Sequence, residues 1–233
     1  MAALKPARTY VTDSVPSTLD WRQKGAVNPI KNQGQCGSCW AFGTIATTEA
    51  AAYADTKTLR SFSEQQLVDC DRASIDNGCG GGLPYYAMQY IRSHGIALES
   101  AYGYTARDGY CRYTSSMKAY SLSKGGERIT SNNVDQMKAA LTKGTIAVLV
   151  EADRSAFQRY QGGILDDYSC GTNYDHAVSL VGWGNENGTE YWILRNSWGA
   201  YWGEEGYMRV KIVPGNGFCG VQMYPSRAIA NSE

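Results

Sequence analysis

Histidine is scarce in this chain: the 233 residues hold two, His94 and His176. Any chemistry that needs a base near neutral pH must draw on one of them, and a zinc site built on paired histidines has no pair to use. Excess charge is missing as well. Lys plus Arg and Asp plus Glu both number 22, with no long run of either sign, so neither nucleic acid nor an anionic membrane is an expected partner. Long apolar runs are also lacking. The longest aliphatic stretch is Ile146 to Val150, far short of the roughly 20 residues that span a bilayer. Finally, the opening MAALKPARTY carries Lys5 and Pro6 where an export signal carries its apolar stretch. The chain is therefore read as cytosolic or as one whose leader has been removed.

Cysteine is present in quantity. Seven are spread over positions 36, 39, 70, 79, 111, 170 and 219. Their parity reads as three bridges and one thiol left over, which suits an oxidising compartment. Asn187-Gly188-Thr189 is an N-glycosylation acceptor sequence and agrees with export.

The order of patterns suggests two lobes in an α+β fold. Cys39 to Tyr53 is alanine-rich and apolar at helical spacing, which predicts a long, largely buried helix. Ser63 is an N-cap candidate for a short helix over EQQLVDC, and Pro84 to His94 forms a third, stopped by Gly95. The second half changes to short runs rich in Val, Ile, Tyr and Trp over 145–152, 176–184, 190–195 and 206–212, read as strands of an antiparallel sheet or barrel. Tyr120 to Gly126 has linker composition, and one good helix, Val134 to Lys143, follows it. A helical lobe packed on a β-rich lobe leaves a cleft in which ligands sit.

The motif GQCGSCWAF at 34 to 42 poses the chemical question. A structural zinc site needs further ligands that no second C-x-x-C supplies, and a thioredoxin-like pair belongs after a strand rather than after a proline-containing loop. What remains is Cys36 bridged and Cys39 free at a helix start. There the helix dipole and unpaired N–H groups favour the thiolate. A proton acceptor is then required. His94, beside a helix-ending glycine, reads as a C-terminal cap, whereas His176 opens the strand HAVSLVGWG and can face Cys39 across the cleft. Asn196, directly after YWILR, can accept from the His176 ring and fix its tautomer, with Trp198 as a shield against water. Gln33, six residues before Cys39, can join the Cys39 backbone N–H in stabilising an oxyanion.

Together QGQCGSCWAF, NYDHAV and YWILRNSWG resemble the papain-like cysteine proteases, whose local signature C-G-[SA]-C-[WY] is met at Cys36 to Trp40. The resemblance runs from about Val15 to Pro225 and includes GCGGGLP and WGEEGYMRV. It implies a papain-like two-lobe peptidase domain over 15–228. The helical lobe would cover about 24–125 and an antiparallel β-barrel-like lobe 126–228, with the N-terminal segment crossing onto the latter. It also implies a cathepsin L-like endopeptidase acting through a thioester, with Cys39 as nucleophile, His176 as acid and base, Asn196 as orienter and Gln33 as oxyanion donor. No cofactor or metal is implied. Substrate would contact Gly37, Gly81, Gly82, Asp175 and Trp198. Leu83, Pro84, Leu149, Tyr174 and Ala177 would line an apolar pocket for the residue two before the scissile bond, with Met223 or Tyr224 at its floor. The family pattern further suggests bridges Cys36–Cys79, Cys70–Cys111 and Cys170–Cys219, one of 15 pairings of six cysteines. Expected partners are peptides, proteins, cystatin-type inhibitors and the chain's own propeptide, met by a monomer in a lysosome- or vacuole-like compartment or outside the cell. The rival readings are a catalytically dead binding protein, an acyl transferase that ligates peptides, and a purely structural disulfide-rich domain.

Overall fold

The computed structural model describes residues 5–72 and 75–233; Met1 and the rest of the first four residues, on which part of the leader reading rests, lie outside them. An extended N-terminal segment leads through β1 (Leu19–Asp20) to α1 (Cys39–Thr56). Helix α1 has no proline and many alanines, which favours the helical backbone. Trp40 through Ala52 are all buried, as suits a helix running through the interior. Its polar side chains stay satisfied: Thr44 and Thr48 donate to the carbonyls of Trp40 and Thr44 at 2.7 and 2.8 Å, and Thr47 donates to Thr145 O at 2.7 Å.

Helix α2 (Glu64–Cys70) starts at Ser63, whose hydroxyl accepts from Gln66 N, the cap read from the sequence. Helix α3 (Pro84–His94) begins on proline and ends at Gly95 with φ 83°, a conformation only glycine adopts at little cost. His94 stacks on Tyr90 at 4.4 Å in the last turn. Strands β2 (Ile96–Ala97) and β3 (Lys118–Tyr120) make a small ribbon. Trp40, Ile45, Phe62, Leu67, Met88 and Ile91 fill this lobe.

The second half contains β4 (Gly126–Arg128), α4 (Val134–Leu141), β5 (Ile146–Val150), α5 (Ser155–Gln158), β6 (Ile164–Leu165), β7 (His176–Glu186), β8 (Thr189–Arg195), β9 (Tyr207–Lys211) and β10 (Ser226–Ala228). The strands form one sheet in the order β4-β10-β5-β7-β8-β9-β6, with β1 added against β7. Pairing is antiparallel except between β6 and β9. The four strands read from the sequence fall on β5, β7, β8 and β9, with ends differing by at most two residues. The barrel-like expectation needs correction: the sheet is open. Its edge strands β4 and β6 are three and two residues long and do not pair with each other, too little backbone to close a barrel.

Tyr120 to Gly126 is also not a free linker. Leu122 within it is fully buried in the helical core. Each end of the chain, moreover, packs into the opposite lobe: Tyr10 and Leu19 join the β-rich core, and Ala228 and Ala230 join the helical core. The C-terminal crossing was not anticipated from sequence. Disulfides join Cys36 to Cys79, Cys70 to Cys111 and Cys170 to Cys219, closing loops of 43, 41 and 49 residues. Each restricts the unfolded chain by an amount typically worth about 2 to 4 kcal/mol.

Candidate active site

Cys39 is the first residue of α1 and its thiol is free and partly exposed. The GQCGSC loop holds it in place. Cys36 is bridged to Cys79, and Gly37 N donates to Cys79 O at 3.1 Å. A Cβ on Gly37 would lie 2.4 Å from that carbonyl, so the loop can sit there only as glycine. Ser38, fully buried, bonds Tyr104 Oη at 2.6 Å, and Tyr104 donates to Gln33 O at 2.6 Å. Four residues further along α1, a Cβ on Gly43 would be in ordinary contact with Val178 O and Ala177. The helix therefore lies close against β7, and His176 opens that strand.

His176 pairs with Val150 in the β5–β7 ladder and is buried. Its Nε2 lies 2.8 Å from Asn196 Oδ1, which also accepts from Ser197 N at 2.8 Å. An Asn oxygen accepts only, so Nε2 carries the hydrogen and Nδ1 is left as the ring's proton acceptor. Trp198 covers the pair with its ring 4.8 Å from the imidazole, and Phe157 and Trp202 back it at 5.4 and 5.5 Å. Sequence reading singled out Trp198 but not Phe157 or Trp202.

Burial pushes the Cys39 thiol up, while the backbone N–H groups of Ala177, Trp40 and Cys39 draw it down. Burial also holds the His176 imidazole down, to about 4, against the bond to Asn196. Each direction is that of a lone charge in the cleft. A proton passed from sulfur to imidazole instead leaves two opposite charges, each lowering the cost of burying the other.

Gln33 is buried. Its Oε1 accepts from Ser197 Oγ at 2.7 Å and its Nε2 donates to Cys36 O at 3.0 Å. That bond uses one of the two amide hydrogens, and the second remains to donate. Gln33 does not line the cavity that holds Cys39.

That cavity, about 250 Å³, brings Cys39 and His176 together with Gly37, Gly81, Gly82, Leu83, Leu149, Tyr174, Asp175 and Ala177. Asp175 Oδ1 accepts from Ala152 N at 2.7 Å, which steadies the chain just before His176. The two strip glycines are needed for different reasons. Gly81 has φ 114° and open space beside it, whereas a Cβ on Gly82 would lie 2.6 Å from both Trp40 Cδ2 and Asp76 Oδ1. The crowding at Gly82 thus comes from inside the protein and not from a substrate.

A second cavity of about 190 Å³ adjoins it, lined by Leu83, Pro84, Leu149 and Tyr174. Ala177 lines only the first of these two, its methyl lying toward Gly43 of α1. Tyr224 lines the second and meets Tyr174 edge-on at 5.0 Å, while Met223 Sδ sits against Gly220. Of the two floor residues expected, Tyr224 is the one at the pocket. Arg128 also lines it and was missed. Asn187 lies at the exposed tip of the β7–β8 hairpin with φ 51°.

Comparison with known proteins identifies the family. The model of the family described as papain family cysteine protease matches residues 15–229. Cysteine proteinase COT44 of Brassica napus is 45% identical over 98% of this chain and 70% of the relative. Among solved structures, the Carica candamarcensis cysteine protease CMS1MS2 in complex with E-64 superposes with a TM-score of 0.85 at 42% identity, covering 93% of this chain and all of that one. The digestive procathepsin L 3 of Tenebrio molitor gives 0.89 at 38% identity, over 96% of this chain and 73% of that one. The chain belongs to the papain family of cysteine proteases.

Proposed function

We propose that the chain is a cysteine endopeptidase in which Cys39, His176, Asn196 and Gln33 carry the reaction. The observation that carries this reading is the 2.8 Å bond from His176 Nε2 to Asn196 Oδ1. It leaves Nδ1 to exchange a proton with the thiol that shares its cavity. The Cys39 sulfur adds to the peptide carbonyl carbon, and the displaced electron pair rests on oxygen, held by the Gln33 amide and the Cys39 backbone N–H. As the carbon–nitrogen bond breaks, His176 gives its proton to the departing amine and a thioester remains. Water then adds to the thioester while His176 takes its proton, and release of the acid restores the thiol.

Substrate backbone lies along Gly81 and Gly82, and the second cavity takes an apolar side chain two residues before the scissile bond. The two histidines stand apart in sequence and structure, so the paired-histidine loop of the cathepsin B type has no counterpart, which favours internal cleavage. E-64, bound by the Carica candamarcensis relative, is the expected probe of the thiol. We extend the reading to a monomer that binds its own propeptide and cystatin-type inhibitors. It would work in a vacuole- or lysosome-like compartment or outside the cell, with Asn187 as a glycosylation acceptor. Among the described residues no helix is long and apolar enough to cross a membrane.

A long unmodified peptide, incubated with the protein and followed by mass spectrometry, tests the reading. Internal cleavage that disappears in Cys39→Ala is expected. Dipeptides alone would mean an exopeptidase, no cleavage a binding protein, and amide-linked products with an added amine a ligase.

A further inference from the structure

The pocket assigned above to the residue two before the scissile bond is not uniformly apolar, and the following rests on that assignment. Arg128 is the only charged residue lining it among the described residues. Strand geometry aims this side chain. Residues alternate across β4, and Glu127 turns to one side, where it binds Arg8, Arg227 and Tyr10. Gly126 and Arg128 share the other side, and a Cβ on Gly126 would touch Met88 of α3. Arg128 therefore projects into the space between β4 and α3, where Tyr85 and Tyr86 also line the pocket. Arg128 is partly buried, and its guanidinium makes no hydrogen bond, ion pair or ring contact with any described residue.

An unpaired guanidinium in a pocket with otherwise apolar and hydroxyl walls is a receptor for a carboxylate. Its planar donors match two carboxylate oxygens at once, and the low-dielectric walls strengthen the attraction. Glutamate has the right division of surface, with two methylenes to lie against Leu83 and Leu149 and a carboxylate beyond them. A lysine or arginine side chain entering the same pocket meets like charge. We propose that Arg128 is a specificity-determining residue: it makes the enzyme select glutamate over glutamine, and exclude cations, at the second position before the scissile bond, while apolar side chains still fill the mouth.

The test uses a peptide series differing only at that position, with Glu, Gln, Arg, Leu and Ala, and reads ratios of kcat/KM within each form of the enzyme. At pH 6 the Glu peptide is expected to exceed the Gln peptide by about tenfold, the low end of what a hydrogen bond to a charged group is worth. The ratio should shrink as pH falls through the ordinary glutamate value of about 4.3. In Arg128→Met it should drop to about one. In Arg128→Lys, a point charge without the fork, it should be partly kept. Ratios within one preparation do not depend on how much of a variant folds. Glu no better than Gln in the unaltered enzyme, or a ratio unmoved in Arg128→Met, would overturn the proposal. The Leu-to-Ala ratio reads the pocket separately: if Leu is no better than Ala, the pocket assignment itself fails.

Discussion

In the proposed mechanism the two ring nitrogens of His176 have different duties, and the division depends on one amide. Asn196 Oδ1 holds Nε2 at 2.8 Å under the cover of Trp198, which keeps the hydrogen on that nitrogen and the other available to the thiol. Replacing Asn196 with Ala frees the ring to turn and lets the wrong tautomer form. It also takes away the acceptor that stabilises the imidazolium. A bond to a charged group is worth enough that kcat should fall about 10- to 100-fold. The same change strips Ser197 N of its partner, so stability will also drop; kcat per titrated thiol separates the two effects. An Asn196→Ala enzyme with undiminished kcat would remove Asn196 from the mechanism.

At the scale of elements, the cleft wall is built by packing the Gly80–Leu83 segment onto α1. Asp76 Oδ1 accepts from Leu83 N at 2.7 Å, Trp40 Nε1 donates to Gly78 O at 2.9 Å, and Gly82 fits between Trp40 and Asp76. A methyl at Gly82 meets ring and carboxylate at 2.6 Å, so Gly82→Ala should cost about 1 to 3 kcal/mol as the overpacked wall shifts. Thermal melting checks this, and an unchanged midpoint would contradict it. Elements such as α1, α2, α3 and the long strands were legible because their periodicity, caps and β-branched runs are local. The strands β6 and β10 and the one-turn α5 were not, since two to four residues carry no periodicity and their shape is imposed by neighbours. The site divides in the same way. Cys39, His176 and Asn196 each stand in a compact motif, but Tyr104 matters only because it reaches Gln33 across 71 positions. Arg128 matters only because β4 pairs with β10 and brings it beside Tyr224 and Ser226. Such juxtapositions are written in the topology and not in any local pattern.

For the whole molecule, buried acids set how stability responds to pH. Burial raises Asp76 from 3.8 to about 8, with Asp71 beside it adding to the shift, and burial raises Glu64 from 4.5 to about 8 despite Lys31. Between those values the folded chain holds protons that the unfolded chain has released, so this contribution is full in acid and is lost as pH rises toward 8. The melting temperature should therefore fall from pH 6.5 to 8, less steeply in Asp76→Asn. A rise, or a slope unchanged by the variant, would contradict this. The central claim also concerns the whole molecule, because Cys39 and His176 come from different lobes and become a pair only when the cleft is assembled. Its most direct test is the rate of Cys39 alkylation by a small haloacetamide from acid to alkaline pH, with the adduct located by mass spectrometry. We predict fast labelling already at about pH 5 that is lost in His176→Ala, the behaviour of a thiolate paired with imidazolium. Labelling that begins only near the ordinary thiol value of about 8.5, with or without His176, would contradict the account.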